Sequence, residues 1–520
     1  MKKLAQLLFL VIFTASCAAP SAGLWGSPAT PTPPGTATPT RISYALVATI
    51  TPTPTATPQM VLPLSDTPTP GAPTMPTLPP VNTAGPMILL RAQSGDTLEI
   101  IARRSNVRLE QVISDVVLPQ PNALLDPGTL LLVPDQLPSE RTSNGLMLPD
   151  SEFILSATAI GFDTSLYTND AGGYLSRYTE YLMSNGKTSG AKVLERIAYD
   201  NSIHPRLLLT LLELESRWVR GNPSNFAQEE YPLGYADIQY KGLHRQLAWA
   251  IGELSTGYYG WRSGELTEIT FQDGSKISLA PTLNAATVGL MYYFSKTRSR
   301  ETWAQAVAAF PALYIEMFGD PWPGAEEIEP LFPPGLTQPE LGLPFQPEQI
   351  WAYTGGPHAA WDRKGALAAI DFAPGAVEHG CVKSDNWVVA PAPGLVVRTD
   401  EGVVILDLDG DGYEQTGWVL LFLHIGDEGK VKLGTYLQKD DKIGHPSCTG
   451  GVSTGTHVHF ARKYNGEWIL AGGALPFTLN GWVVAQGDEP YKGTLSRAGA
   501  VINASTSGAY ETRIIREKNE

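Results

Sequence analysis

Positive charge, histidine and cysteine are all scarce in this sequence. Lys and Arg number 37 against 52 Asp and Glu, a formal net charge of −15, and no long basic run interrupts that balance. Nucleic acid is thereby excluded as a partner, because neutralising a phosphate backbone needs clustered cations. The acidic balance itself says little about substrate. Three cysteines occur, Cys17, Cys381 and Cys448, so there is no disulfide framework to organise the chain. Eight histidines occur, and six of them lie beyond residue 357, which concentrates any histidine chemistry in the C-terminal third. Apolar residues are plentiful, at 43% of 520 residues. They are ample for packed cores, and the length suits about three or four domains.

The chain opens with Lys2 and Lys3, an apolar run from Leu7 to Phe13, and then Thr14-Ala15-Ser16-Cys17. The run is too short to span a bilayer stably, and residues 1–17 read as an export signal. This segment resembles a bacterial lipoprotein signal. The resemblance implies lipidation of Cys17, a membrane partner through that anchor, and a place on the outer face of the cell membrane. Thr14 departs from the usual leucine, so cleavage with full secretion or wall association stays open. Cys381 and Cys448 then remain in an oxidising setting and are expected to form a disulfide. Residues 18–86, rich in Pro, Thr, Ala and Ser, hold little that could build a core and read as a semi-rigid tether.

The character changes at residues 87–135. Ile88-Leu89-Leu90 predicts a strand, Ser94-Gly95-Asp96-Thr97-Leu98 a turn capping a helix to about Ser105, and Leu109–Ser114 a second helix. Asp126-Pro127-Gly128 turns into a last strand, Leu130–Val133. This strand-helix-helix-strand order resembles the LysM module. The resemblance implies binding to N-acetylglucosamine-containing glycan through Gly95, Asp96, Thr97 and Leu98 and the loop before Pro127.

Residues 150–325 read as mainly helical. Pro205 suits a first helical turn, and the helix it starts runs through Leu211-Leu212-Glu213-Leu214-Glu215-Ser216-Arg217-Trp218. An apolar helix ending in Glu-Ser resembles the start of a lytic transglycosylase or goose-type lysozyme domain. There the glutamate, here Glu215, would be the catalytic acid, with a pKa raised by apolar neighbours. The expected Gly-Leu-Met-Gln segment is only loosely matched by Gly234–Gln239. The plain alternative is a solvated glutamate in a domain that binds glycan without cutting it. A proline-rich linker is expected over 326–345.

The last segment, 346–520, alternates short strands and turns. Asp407, Asp409, Asp411 and Gly412 fit the first half of a calcium loop, but Trp418 stands where a closing glutamate is needed, so a tight hairpin turn is expected. His457 and His459, two apart on a strand, point to one side. His424 ends another strand, Asp371 sits among apolar neighbours that force it to find a partner, and His358 follows the turn Gly355-Gly356-Pro357. Three such ligands suffice for one zinc ion, leaving a position for water.

The layout resembles the lysostaphin-like zinc endopeptidases of bacterial cell walls. Most of that family carries His-x-x-x-Asp, where this chain has Leu367 and could bind no metal. The beta-lytic and staphylolysin branch instead uses Gly-Gly-x-His and then Asp after twelve residues, which Gly355–His358 and Asp371 match. The resemblance implies His358, Asp371 and His459 as zinc ligands and His457 and His424 as the catalytic pair. His379 and His445 are assigned to satisfied structural positions.

The expected fold is therefore multidomain: a small α+β LysM module, a mainly α lysozyme-like middle domain and a mainly antiparallel β peptidase domain. The expected function is zinc-dependent cleavage of peptide stems or cross-bridges of peptidoglycan, with its glycan strands as anchor. The alternative is glycan cleavage through Glu215, with the peptidase-like domain an inactive regulator.

Overall fold

The computed structural model describes residues 85–184, 186–375 and 380–519. Cys17, the signal, nearly all of the tether and His379 lie outside the described residues. Among the described residues no helix is long and apolar enough to cross a membrane.

Strands β1 (Met87–Arg91) and β2 (Leu130–Pro134) pair antiparallel, Met87 opposite Pro134. Between them Thr97 caps α1 (Leu98–Ser105), its hydroxyl accepting from the Ile100 amide at 3.2 Å. Leu90, Ile101, Leu131 and Val133 close a small core. The turn singled out for glycan faces protein instead of solvent. Asp96 is fully buried and paired with Arg104 at 2.7 Å, while the Arg104 Nη2 donates to the Trp261 carbonyl at 2.7 Å. Thr97 and Leu98 are buried too, and a Cβ on Gly95 would press on the Phe332 ring. The Phe332 amide donates to Ser94 Oγ at 3.1 Å and the Gly335 amide to Asp126 at 3.2 Å. The stretch expected as an open linker is thus a packed strap, with Leu331, Leu341, Leu343 and Phe345 buried. Its prolines hide that the residues between them are apolar enough to find a core.

Middle helices α2 (Gly190–Asn201), α3 (Pro205–Ser216), α4 (Leu243–Arg262), α5 (Ala285–Ser295) and α6 (Arg300–Phe318) pack together. A hairpin of β3 (Thr179–Leu182) and β4 (Gly186–Ser189) leads into α2.

The C-terminal segment builds a sheet from β5 (Ile350–His358), β6 (Ala369–Pro374), β7 (Gly394–Asp400), β8 (Gly402–Asp407), β9 (Trp418–Ile425), β10 (Tyr436–Leu437), β11 (Val458–Tyr464) and β12 (Arg513–Ile515). The order is β10-β7-β8-β9-β11-β6-β5-β12, and every pairing is antiparallel. Both faces are buried. Val404, Leu406, Leu420, Phe422 and Phe460 face one core, whereas Val403, Ile405, Val419, Leu421 and Ala461 join the core of the middle helices. Alternate residues along each strand serve opposite faces, which is why β8 and β9 read as near-continuous apolar runs. The two regions also share buried polar contacts. Arg262 of α4 pairs with Glu467 at 2.9 Å and with Asp150 at 3.0 Å.

Candidate metal centre

Pairing register brings the site together. His459 on β11 lies directly opposite Asp371 on β6, and Asp371 in turn opposite Gly355 on β5. Cross-strand partners share a face, so Asp371 and His459 stand on the face of Ala369 and Ala461, the one toward the middle helices. His358 reaches the same point from the irregular end of β5, where register slips between Gly355 and His358. Gly355 is required by close approach, since a Cβ there would collide with the Asp371 carboxylate.

Three ligand atoms converge. His358 Nε2 and His459 Nδ1 are 2.9 Å apart, and each lies 3.3 Å from Asp371 Oδ1. Zinc with bonds of about 2.0–2.1 Å needs tetrahedral ligand atoms about 3.3 Å apart, so the residues fit the ion. Asp371 Oδ1 is buried without a hydrogen-bond partner, the condition that a cation would relieve. The outer nitrogens are fixed by carbonyls: His358 Nδ1 donates to Gly356 O at 2.8 Å and His459 Nε2 to Ala360 O at 2.9 Å. Each N–H so placed leaves the inner nitrogen with its lone pair free for a metal.

The other two histidines are set the same way. His457 Nδ1 donates to Gly455 O at 2.8 Å, and its Nε2 lies 3.8 Å from Asp371 Oδ1. His424 Nδ1 donates to Thr449 O at 2.9 Å, and its ring stands 4.5 Å from that of His457. His424 has a left-handed backbone, φ +66°, at a bulge between β8 and β9, which turns the ring out of the strand's alternation and toward the site.

Charge follows from burial. Burial, with His457 and His459 close by, drives the His424 imidazole down to about 4. Burial lowers His459 as well. Burial opposes charge on His358 too, but Asp371 outweighs it and the net shift is upward. Burial opposes ionisation of Asp371, yet the surrounding imidazoles hold it well below the usual carboxylate range.

Cys381 and Cys448 are disulfide-bonded, tying the segment between β6 and β7 to the loop ahead of His457. His445 lies apart, donating to Asn386 O at 2.8 Å and lying against Trp387. The Asp407 turn closes on itself as a hairpin, with the Asp407 carboxylate accepting from the amides of Asp409, Gly410 and Gly412. Glu215 does not line the cleft that holds the histidines. Its carboxylate pairs with Arg298 at 2.6 Å and accepts from Tyr293 at 3.4 Å. Burial raises the Glu215 carboxyl while Arg298 opposes that rise.

Tyr491, not anticipated from the sequence, stacks on His358 with ring centres 4.1 Å apart. A lone tyrosine in a loop carries no spacing signal. The cleft's far wall, from the β3–β4 hairpin, α2 and α4, was equally hidden, because helical periodicity does not reveal which helix end will stand beside a remote sheet.

A family model described as "LasA, N-terminal domain" matches residues 146–331. Protease LasA of Pseudomonas aeruginosa strain PAO1 is 25% identical over 386 residues, covering 69% of this chain and 86% of the relative. A solved structure described as a novel M23 metalloprotease, pseudoalterin, from the deep sea is 20% identical and spans 32% of this chain and 96% of its own, with a TM-score of 0.28. The catalytic domain of lysostaphin from Staphylococcus simulans is 20% identical over 24% of this chain and 89% of its own, with a TM-score of 0.16.

Proposed function

We propose that the chain is a zinc metalloendopeptidase acting on the peptide part of peptidoglycan. The observation that carries the reading is the convergence of His358, Asp371 and His459 on one point beside two further histidines with free inner nitrogens. Likeness to a named protease over most of the chain supports it.

His358, Asp371 and His459 would hold the ion. Zinc so held supplies Lewis acidity for a peptide carbonyl and makes water a usable nucleophile near neutral pH. His457 Nε2 faces the ligand cluster with its other nitrogen committed to Gly455 and takes the proton from attacking water. His424, kept neutral by burial and held by Thr449 O, directs its remaining nitrogen toward the same space. That nitrogen carries a lone pair, so His424 accepts a proton from the attacking water and returns it to the leaving amine. Retention on glycan by residues 87–135 belongs to the same reading, with sugar contacts falling outside the buried Asp96, Thr97 and Leu98. The amino-terminal signal supports export, with Cys17 as the anchor.

Digestion of purified peptidoglycan by the full chain, with products read by mass spectrometry, tests this. Soluble peptide fragments that vanish with a zinc chelator and return with added zinc are expected. Zinc-loaded protein that releases nothing from any wall type would overturn the reading.

A further inference from the structure

The ligand-bearing face of the sheet is the face that the middle helices cover, and that cover stops short of the metal cluster. What remains is a cleft of about 1350 Å³ that reaches His358, Asp371, His424, His457 and His459. One wall comes from the sheet and its loops. The other comes from the β3–β4 hairpin, α2 and the start of α4. The two walls meet where His244 of α4 and Asp362 of the β5–β6 loop are electrostatic neighbours. Each of these residues is followed in sequence by an arginine that lines the cleft, Arg245 from one wall and Arg363 from the other.

These arginines differ from the other charges around them. Glu180 is committed to the first turn of α4, accepting from the His244 amide at 2.9 Å. Asp200 is paired with Arg398 at 2.7 Å, and Lys241 with Glu230 at 2.6 Å. Arg245 spends one N–H on the Gln239 carbonyl at 3.3 Å, and neither Arg245 nor Arg363 has a carboxylate within 4.0 Å among the described residues. Glu401, on the β7–β8 turn, and Asp362 line the cleft without an ion pair within 4.0 Å, and Asp362 is an electrostatic neighbour of Arg363. Arg363 lines the same cleft as Tyr491, whose ring covers His358. A guanidinium with unfilled donors is the group best shaped to grip a carboxylate by two parallel hydrogen bonds.

We infer that the substrate is a peptide carrying a free carboxylate beside the scissile bond, gripped by Arg363 and Arg245 from opposite walls of the cleft. The middle region is then a working half of the substrate groove. An uncharged bridge made only of glycine offers these arginines nothing. The inference rests on the metalloendopeptidase reading.

The test uses the zinc-loaded full chain, its Arg363→Gln and Arg245→Gln variants, and two walls: one cross-linked directly through diaminopimelate, one through glycine bridges. Synthetic stem peptides are assayed with the carboxylate free or converted to carboxamide. Preference for the direct-linked wall is expected. Each variant should raise KM for the free carboxylate by about tenfold with kcat little changed, and the carboxamide should abolish that difference. Equal losses on both peptide forms, or cleavage of glycine bridges as fast as direct links, would overturn the inference while leaving the peptidase reading intact. Faster turnover in the Arg245 variant would also overturn it, marking the middle wall as an obstruction. No cleavage of any substrate by the wild-type chain would remove the peptidase reading and this inference with it.

Discussion

At the scale of single residues, the site divides into groups that hold the ion and groups that move protons, and the division is measurable. Asp371→Asn keeps the shape but removes the charge that balances zinc, so bound zinc measured by mass spectrometry should fall with activity. His457→Ala should retain stoichiometric zinc and lose turnover by roughly 10²–10⁴-fold. Loss of zinc from His457→Ala would reassign it as a ligand. Gly355→Ala tests the support around the ligands. Its Cβ would meet the Asp371 carboxylate, so the ligand must rotate away, and zinc affinity should weaken by roughly 10–100-fold, the usual effect of disturbing a ligand's surroundings. Unchanged affinity in a metal-competition titration would show that β5 yields instead. These residues were legible because alternation in a strand aims His457 and His459 together, and because a carboxylate amid Ala369-Ile370 and Phe372 must have a partner. Gly355 was legible only as part of a turn; its steric role appears once β5 lies beside β6.

At the scale of elements, strands were easier to anticipate than their second face. The run Val403-Val404-Ile405-Leu406 predicts a strand, but an unbroken apolar run does not say what covers each side. The cover on one side is helical and is fixed by buried charge. Glu414 accepts from Arg398 of β7 at 2.8 Å and from Lys463 of β11 at 2.8 Å, while Arg398 also reaches Asp200 of α2 at 2.7 Å. Burial alone would raise the Glu414 carboxyl, but the two cations hold it down to about 2, from an ordinary 4.5. A depressed folded-state pKa stabilises the protein fully above about pH 4.5, and the benefit is lost as pH falls toward about 2. The stabilisation from this shift is of the order of 3 kcal/mol. Glu414→Gln should therefore lower the urea midpoint markedly at pH 6 and much less at pH 2.5. A gap between variant and wild type that does not change with pH would place the effect in packing and not in charge.

At the scale of the whole molecule, composition predicts several domains, and the structure joins them more tightly than composition implies. Signals for separateness, such as prolines at 330, 333 and 334 or a glycine-aspartate turn at 95–96, sit at seams where Phe332 packs on Gly95 and Arg104 reaches Trp261. Propensity marks where the chain turns; it cannot tell whether the turn faces water or a neighbouring helix. The consequence is sharpest for residues 346–520. Val403, Ile405, Val419, Leu421 and Ala461 are all fully or almost fully buried, and they pack in one core with α4 and its neighbours. Exposing a large apolar side chain costs roughly 1.5–3 kcal/mol, and a domain's whole stability is about 5–15 kcal/mol. Cutting the chain ahead of residue 346 should thus remove a substantial part of what holds the sheet. The isolated segment should bind a hydrophobic dye and unfold in urea at a clearly lower midpoint than the sheet within the full chain. The matched variants Val403→Thr and Leu421→Gln supply the comparison: each should destabilise the full chain by about 1–3 kcal/mol and stabilise the isolated segment against aggregation. If both substitutions leave the full chain unchanged, the middle helices do not rest on this face in solution. The far wall of the cleft would then fall with that contact.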